Sequence, residues 1–143
     1  MYLSKSGFYT ILIPKRFTVD EYQQLAELGF LKASDRIELI NGEIICMAAK
    51  GVAHEVCITR LCRELPKYIG NVITIRCQSP IEVNPFSEPE PNFAFVRNRT
   101  DDYISGHPKP EDISLVIEVL DSSIGYDQTA KLWLYAENNI ADY

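Results

Sequence analysis

An acidic residue interrupts one of the most apolar stretches of this sequence. Glu118 lies in the run 115–120 (LVIEVL), where a carboxylate costs several kcal/mol of free energy unless it is paired, protonated or bound to a cation. Glu38 occupies a second strand-like segment, and Asn92 opens a third one directly after Pro91. Carboxylate and amide oxygens suit a hard cation such as Mg²⁺, which keeps several waters for its substrate. The alternative for Glu118 is a side chain that points to solvent from the edge of a sheet.

A lysine beside such a cation site would orient or deprotonate an attacking water and offset the charge of a phosphate. Lys131 is the candidate, because it lies on the helix predicted to follow the Glu118 strand. Asp127 precedes it at i,i+4 spacing, and charged pairs of this kind are typical of exposed helix faces. Spacing alone favours the exposed pair, so a site role for Lys131 depends on the fold.

Local signals predict the first elements that would position these residues. A capping box over residues 18–21 begins a helix that ends near Gly29. Asn41-Gly42 separates two strand-like runs and predicts a type I′ hairpin, because both turn positions need positive φ. Apolar residues recur at helical spacing over 52–69 and predict a second helix.

The second half of the chain predicts strands and one further helix. The prolines of segment 84–91 forbid regular structure there, and a polar loop covers 97–112. The resulting order of elements, αββαβββαβ, predicts an α/β (α+β) fold in which a mixed sheet is flanked by helices. The predicted elements are a long strand or a pair of strands bent at Pro80 over 72–83, strands 92–96 and 113–120, a helix over 125–138, and the first residues of another strand at 140–143.

Composition limits the class of protein. The 143 residues carry 14 basic and 20 acidic side chains, a net charge of −6, which fits one globular domain and argues against non-specific coating of nucleic acid. No apolar run reaches the roughly 18 residues of a membrane-spanning helix. The N-terminal segment makes a poor signal peptide, so we expect a cytoplasmic protein. Without a CxxC pair, the cysteines are expected to be buried free thiols; they are Cys46, Cys57, Cys62 and Cys77.

Taken in order, several of these segments resemble the Uma2 family. The resemblance covers the chain from about Phe17 to its end and implies a restriction-endonuclease-like PD-(D/E)xK fold with a central mixed sheet. It also implies cleavage of DNA that depends on Mg²⁺ or Mn²⁺. The segments that carry it are RIELINGEI (36–44), His54, EPEPNFAFV (88–96), LVIEVLDSS (115–123) and the run from Asp127 through Lys131 to Tyr135.

The resemblance assigns roles to four residues. Glu38 matches an acidic residue ahead of the hairpin and Glu118 the (D/E) of the motif, and both would be metal ligands. Lys131 matches the motif lysine displaced onto the next helix, since position 120 is Leu. Asn92 stands where the family pattern has the Asp that is its main metal ligand. Because Mg²⁺ prefers carboxylate, the site Glu38, Asn92, Glu118 and Lys131 is expected to bind metal weakly and to turn over slowly.

Two neighbours of this site keep open interpretations. Glu90 is two residues before Asn92 and so points to the same face of an extended chain. It is a minor candidate to replace the carboxylate charge that Asn92 lacks. His54 matches a histidine of the family pattern, yet at a helix start it is equally a cap or a packed ring.

Other functions compete with the nuclease. A catalytically silent relative would bind nucleic acid or a protein as a homodimer, and a plain α/β domain would be stabilised by self-association. Arg60, Arg63 and Lys67 form a candidate phosphate-facing row, although a solvated helix face is the simpler interpretation. We expect one domain over 1–143, with 1–16 as an N-terminal extension and the last strands of the family fold missing.

Overall fold

The computed structural model describes residues 2–3, 9–10, 12–120 and 126–141, with the backbone alone at 2–3, 9–10, 33 and 126–128. The predicted α+β class is confirmed. Every ladder between the described strands is antiparallel, in sheets β1–β2, β3–β4 and β5–β6–β7. The elements are β1 (Tyr2–Leu3), β2 (Tyr9–Thr10), α1 (Val19–Glu27), β3 (Ile37–Ile40), β4 (Glu43–Cys46), α2 (Val52–Glu64), α3 (Pro66–Ile69), β5 (Ile73–Cys77), β6 (Phe93–Arg97), β7 (Ile113–Ile117) and α4 (Tyr126–Glu137).

Helix α1 begins at the predicted capping box. The Thr18 side chain accepts a hydrogen bond from the N–H of Glu21 (3.2 Å), and the Glu21 carboxylate accepts one from the N–H of Thr18 (2.9 Å). The N–H of Val19 donates to the carbonyl of Pro85 (2.8 Å). The helix start is therefore fixed both by its own side chains and by the proline-rich segment.

The hairpin prediction is also confirmed. Asn41 and Gly42 have φ of 49° and 79°, as a type I′ turn requires. Gly42 is closely packed: its N–H donates to the carbonyl of Phe86 (2.7 Å), and a Cβ added there would lie 2.6 Å from Cβ of Arg16. The turn at the end of β3, which carries Glu38, is therefore packed between Arg16 and Phe86.

The predicted second helix is broken by its proline. Helix α2 ends at Glu64 and α3 starts at Pro66, which occupies the first turn because it has no N–H to donate. Arg63 and Lys67 both pair with Glu64, and their side chains are more than half exposed. The basic row on this helix is therefore a solvated face whose charge is partly neutralised.

The sheet β5–β6–β7 separates two apolar clusters. Phe93 and Phe95 of β6 pack with Ile58 of α2, whereas Ala94 and Val116 belong to a second cluster. That second cluster also contains Leu134 and Tyr135 of α4, Ile40 of β3, and Ile81, Val83 and Tyr103 from irregular segments. The domain is thus layered, with α2 on one face of the sheet and α4 on the other.

The predicted strand 72–83 is wrong beyond Cys77. Pro80 has no N–H for a ladder, and the chain that follows turns to other partners. The N–H groups of Ile81 and Val83 donate to the carbonyls of Pro89 and Ser87, each at 3.0 Å. Segment 84–91 has no regular structure, as predicted, but several of its residues are buried.

The last elements are shorter than predicted. Strand β7 ends at Ile117, so Glu118 lies just after the strand. Ile140 and Ala141 form no strand, although the carbonyl of Ala141 accepts from the N–H of Val116 (2.8 Å); the remainder of that predicted strand lies outside the described residues.

The cysteines are free, as expected, but the expected burial is wrong. Cys46, Cys62 and Cys77 are exposed and Cys57 is half-buried. Within the described ranges, no helix is long and apolar enough to cross a membrane.

Candidate active site

Three charged side chains from separate elements meet beside the end of β7. Nζ of Lys131 lies 2.7 Å from Oε1 of Glu118 and 3.2 Å from Oε2 of Glu38. These side chains are only 10%, 12% and 5% exposed, respectively. The solvent-facing alternatives for Glu118 and Lys131 are therefore wrong, and the side chain of Asp127 lies outside the described residues.

The register of the sheet brings Asn92 to the same place. Phe93 of β6 is opposite Ile117 of β7 in an antiparallel ladder, so the residue before Phe93 and the residue after Ile117 are the next neighbours. Oδ1 of Asn92 accordingly accepts a hydrogen bond of 2.7 Å from the N–H of Val119. Asn92 and Glu118 are neighbours because of strand pairing, not because of their distance along the chain.

Segment 88–92 joins the hairpin to this sheet edge. The backbones of Leu39 and Glu88 exchange hydrogen bonds of 2.8 and 3.4 Å. Further along, the N–H of Glu90 donates to Oε2 of Glu38 (3.0 Å), and Nζ of Lys131 donates to the carbonyl of Glu90 (3.3 Å). The backbone of residue 90 thus contacts both Glu38 and Lys131, while the side chain of Glu90 takes no part in their ion pairs.

Each carboxylate uses one oxygen for these contacts. Oε2 of Glu38 faces Lys131 and Glu90, and Oε1 of Glu118 accepts from the hydroxyl of Tyr135 (2.8 Å) besides pairing with Lys131. These contacts leave the second oxygen of each carboxylate, Oε1 of Glu38 and Oε2 of Glu118, as the atom that would serve as a ligand for a further cation.

The charge state of Lys131 follows from its surroundings. Burial alone would lower the pKa of its ammonium group, but the charges of Glu118 and Glu38 and their hydrogen bonds outweigh burial and raise the pKa above its ordinary value. Lys131 therefore keeps its proton at neutral pH. In this arrangement it serves as a fixed positive charge and a hydrogen-bond donor.

The neighbours of Asn92 would suit a carboxylate as well as its amide. The N–H of Val119 fixes Oδ1, so the Nδ2 amino group faces Nε2 of His54 at 3.3 Å. Nε2 can accept only if Nδ1 carries the proton, and Nδ1 is buried without a partner among the described residues. A carboxylate at position 92 would instead accept from both Val119 and Nε2 of His54. Position 92 is thus surrounded by potential donors, and the histidine is a packed neighbour of the site.

A third buried carboxylate, that of Glu88, lies near the cluster. Burial raises the pKa of Glu88, whose Oε2 accepts from Nε2 of Gln23 (2.6 Å). Burial and then the charges of Glu88, Glu38 and Glu90 raise the pKa of Tyr22 to about 12. Burial likewise raises the pKa of Glu90. This side of the site is therefore rich in carboxylates, and the charges of Lys50, Lys131 and Arg36 offset only part of the rise in the pKa of Glu90.

The model of the Uma2 family, described as "Putative restriction endonuclease", matches residues 19–143. The chain belongs to the Uma2 family. No curated protein matches the chain. The family description points to nuclease function, and restriction-endonuclease-like families are generally dependent on a metal ion.

The donor set of this Uma2 chain fits a hard cation in ligand type and falls short in charge. Two carboxylate oxygens and the amide oxygen of Asn92 are ligands that Mg²⁺ accepts. Glu38, Glu118 and Lys131 together carry one net negative charge, however, and Asn92 adds none. Within the described ranges, no three His, Cys, Asp or Glu side chains form a group that could hold a metal ion.

Sequence reasoning assigned no role to three parts of this Uma2 site. Tyr135 lies at i,i+4 from Lys131 and so shares its helix face, which is a signal that periodicity could have supplied. The backbone of Glu90 and the N–H of Val119 carry no such signal, because main-chain groups are the same at every residue. Their roles follow only from the packing of segment 88–92.

Proposed function

We propose that this Uma2 protein hydrolyses phosphodiester bonds of DNA with Mg²⁺ or Mn²⁺ and that Asn92 limits this activity. The observation that supports the proposal is that Nζ of Lys131 lies within 3.2 Å of a carboxylate oxygen of both Glu38 and Glu118, beside Asn92. Burying two carboxylates and one ammonium group together gains little stability, since an apolar cluster of similar size is often at least as stable. A catalytic role explains why the charges are kept.

In this proposal Glu38, Glu118 and Asn92 would hold the cation through oxygen atoms. When bound, the cation supplies Lewis-acid polarisation of the scissile phosphate. Lys131 orients the attacking water and offsets negative charge on the phosphate, because its raised pKa argues for a charged donor and against a general base. Tyr135 and the backbone of Glu90 hold Glu118, Glu38 and Lys131 in place.

The proposed limitation by Asn92 is electrostatic. An Asp at this position would bring the cluster from one net negative charge to two, which would balance a divalent cation. It would also let Nε2 of His54 donate to the new carboxylate. We therefore propose reduced metal affinity and reduced turnover in the chain as it stands.

The test compares plasmid cleavage by the unaltered protein, Asn92→Asp and Asn92→Asp/Glu118→Ala in Mg²⁺ and in Mn²⁺. We expect Asn92→Asp to cleave at least roughly tenfold faster than the unaltered protein, the scale on which changes around a metal site alter metal affinity or activity. The added Glu118→Ala change should abolish that gain. Asn71→Asp, the same replacement at an exposed position, is the matched control and should leave cleavage unchanged. Failure of Asn92→Asp to cleave would overturn the nuclease proposal.

The competing function is a silent relative that binds DNA or a protein, and the lack of a third acidic ligand favours it. Calorimetric titration with Mg²⁺ separates the two, since a silent relative shows no metal binding yet shifts DNA in a gel. The homodimer, the cytoplasmic location and the single domain over 1–143 stay predictions. Light scattering after size-exclusion chromatography would test the dimer.

A further inference from the structure

Two thiols that are far apart in the sequence lie side by side in the fold. Cys62 belongs to α2 and Cys77 is the last residue of β5, and their Sγ atoms are 3.8 Å apart. Both residues are exposed. Neither forms a CxxC pair, so the juxtaposition is created by the packing of α2 on the sheet.

The packing beneath these thiols holds them in place. Cys77 is opposite Phe93 in the β5–β6 ladder. Phe93 of β6 and Ile58 of α2 belong to one buried apolar cluster. Leu61 of α2 and Ile75 of β5 pack against that cluster. Cys62 is thus next in sequence to Leu61, which packs against this cluster, and Cys77 is paired with Phe93, which belongs to it. Both partners are carried by regular elements, so their separation is set before any reaction.

We propose that Cys62 and Cys77 form a dithiol modification site that is oxidised to an intramolecular disulfide by small disulfides of the glutathione class. A disulfide bond is about 2.05 Å long, so the two sulfur atoms need to approach by less than about 2 Å. Rotation of exposed cysteine side chains supplies movements of this size. The inference is independent of the proposed nuclease activity.

The exchange is balanced in two steps. The Cys62 sulfur, as thiolate after releasing its proton to solvent, attacks the small disulfide, forms a mixed disulfide and releases one thiolate. The Cys77 sulfur then attacks the Cys62 sulfur, giving up its proton to the second thiolate that leaves. Two protein thiols are oxidised, and one small disulfide is reduced to two small thiols.

The order of the two steps follows from Cys77. Although Cys77 is exposed as a residue, partial burial of its thiol, followed by the hydrogen bond and the charge of Cys62, raises the pKa of that thiol to about 11. Cys77 is therefore almost entirely protonated at neutral pH and is the poorer first nucleophile. This places Cys62 as the attacking thiol and Cys77 as the resolving thiol.

The link would fasten α2 to the central sheet. It closes the loop that contains α3, and it fixes the helix whose first turn carries His54 beside Asn92. A loop of this length loses enough entropy in the unfolded chain to raise the melting temperature by roughly 5–15 °C.

The test oxidises the purified, reduced full chain with glutathione disulfide and maps the products by mass spectrometry. We expect a monomer that has lost two hydrogen atoms, a single Cys62–Cys77 peptide pair, and a higher melting temperature that falls again on reduction. Phenylarsine oxide, which bridges two neighbouring thiols, should bind once per chain. Cys62→Ser and Cys77→Ser should each abolish the link and the arsenical binding.

Cys46→Ser, which removes another exposed thiol, is the matched control and should change neither result. Glutathione adducts without an internal link, or a link that involves Cys46 or Cys57, would overturn the proposal. Since no readout depends on DNA cleavage, its failure and the failure of the nuclease proposal are distinguishable.

Discussion

Nζ of Lys131 lies 2.7 Å from Oε1 of Glu118, in a pair of which each side chain is about nine-tenths buried. The same ammonium group also faces Glu38, so a single positive charge compensates two carboxylates that are removed from water. Such a cluster is stable only while it is complete, because each remaining charge would lack a partner in a medium of low polarity.

Lys131→Met should therefore destabilise the protein strongly at neutral pH. Loss of one partner from a buried ion pair costs about 3–5 kcal/mol of unfolding free energy. Urea unfolding of both proteins at pH 7 measures this difference.

Lys67→Met is the control for that experiment. Lys67 also pairs with a carboxylate at 2.8 Å, that of Glu64, but both side chains are largely exposed. We expect little change in stability at any pH, because solvent screens exposed pairs. Equal losses for the two variants would show that burial of Lys131 is unimportant.

Asn92→Asp should change the tautomer of His54. Beside the amide, Nε2 of His54 accepts and Nδ1 carries the proton; beside a carboxylate, Nε2 carries the proton and donates. Nitrogen chemical shifts from NMR distinguish the two forms. The same spectrum in both proteins would contradict the assigned orientation of the Asn92 side chain.

Gly42→Ala should destabilise the fold more than Gly29→Ala. Both glycines have φ of 79°, so each alanine pays a similar backbone cost of about 1 kcal/mol. A Cβ at position 42 would also lie 2.6 Å from Cβ of Arg16, whereas position 29 has nothing within 4 Å. Thermal unfolding of the two variants compares the costs. A larger loss at Gly29 would count against the packed turn.

Glu88→Gln should reduce the loss of stability with rising pH. Burial raises the pKa of Glu88, so the folded state binds its proton more tightly than the unfolded state, whose pKa is near 4.5. The contribution of Glu88 to stability is therefore fully present below pH 4.5 and is lost as the pH rises through its folded pKa. Glutamine does not titrate, so Glu88→Gln removes the contribution of Glu88 to the change of stability with pH.

Melting temperatures between pH 4 and 7 test the Glu88 prediction. Glu137→Gln, at an exposed carboxylate of α4, should keep the slope of the unaltered protein. An unchanged slope in Glu88→Gln would mean that Glu88 is ionised in the folded protein as readily as in the unfolded chain.

The sequence predicted the elements whose signals are local. The capping box of Thr18 and Glu21 and the Asn41-Gly42 turn act through hydrogen bonds and φ preferences of neighbouring residues, and both were confirmed. The strand over 72–83 was predicted too long, because Ile81 and Val83 bond to Pro89 and Ser87. The apolar pattern of one segment does not show which other segment supplies its hydrogen-bond partners.

The sequence by itself determined which residues could do chemistry: Glu38, Asn92, Glu118 and Lys131 were chosen by type, by apolar context and by the family resemblance. The tertiary structure decided their arrangement. Spacing favoured an exposed Asp127–Lys131 pair, yet Lys131 is buried between two carboxylates; likewise, Cys62 and Cys77 become neighbours only when α2 packs on the sheet. Ion pairs and thiol contacts act over a few ångströms, so only the folding that joins distant segments creates them.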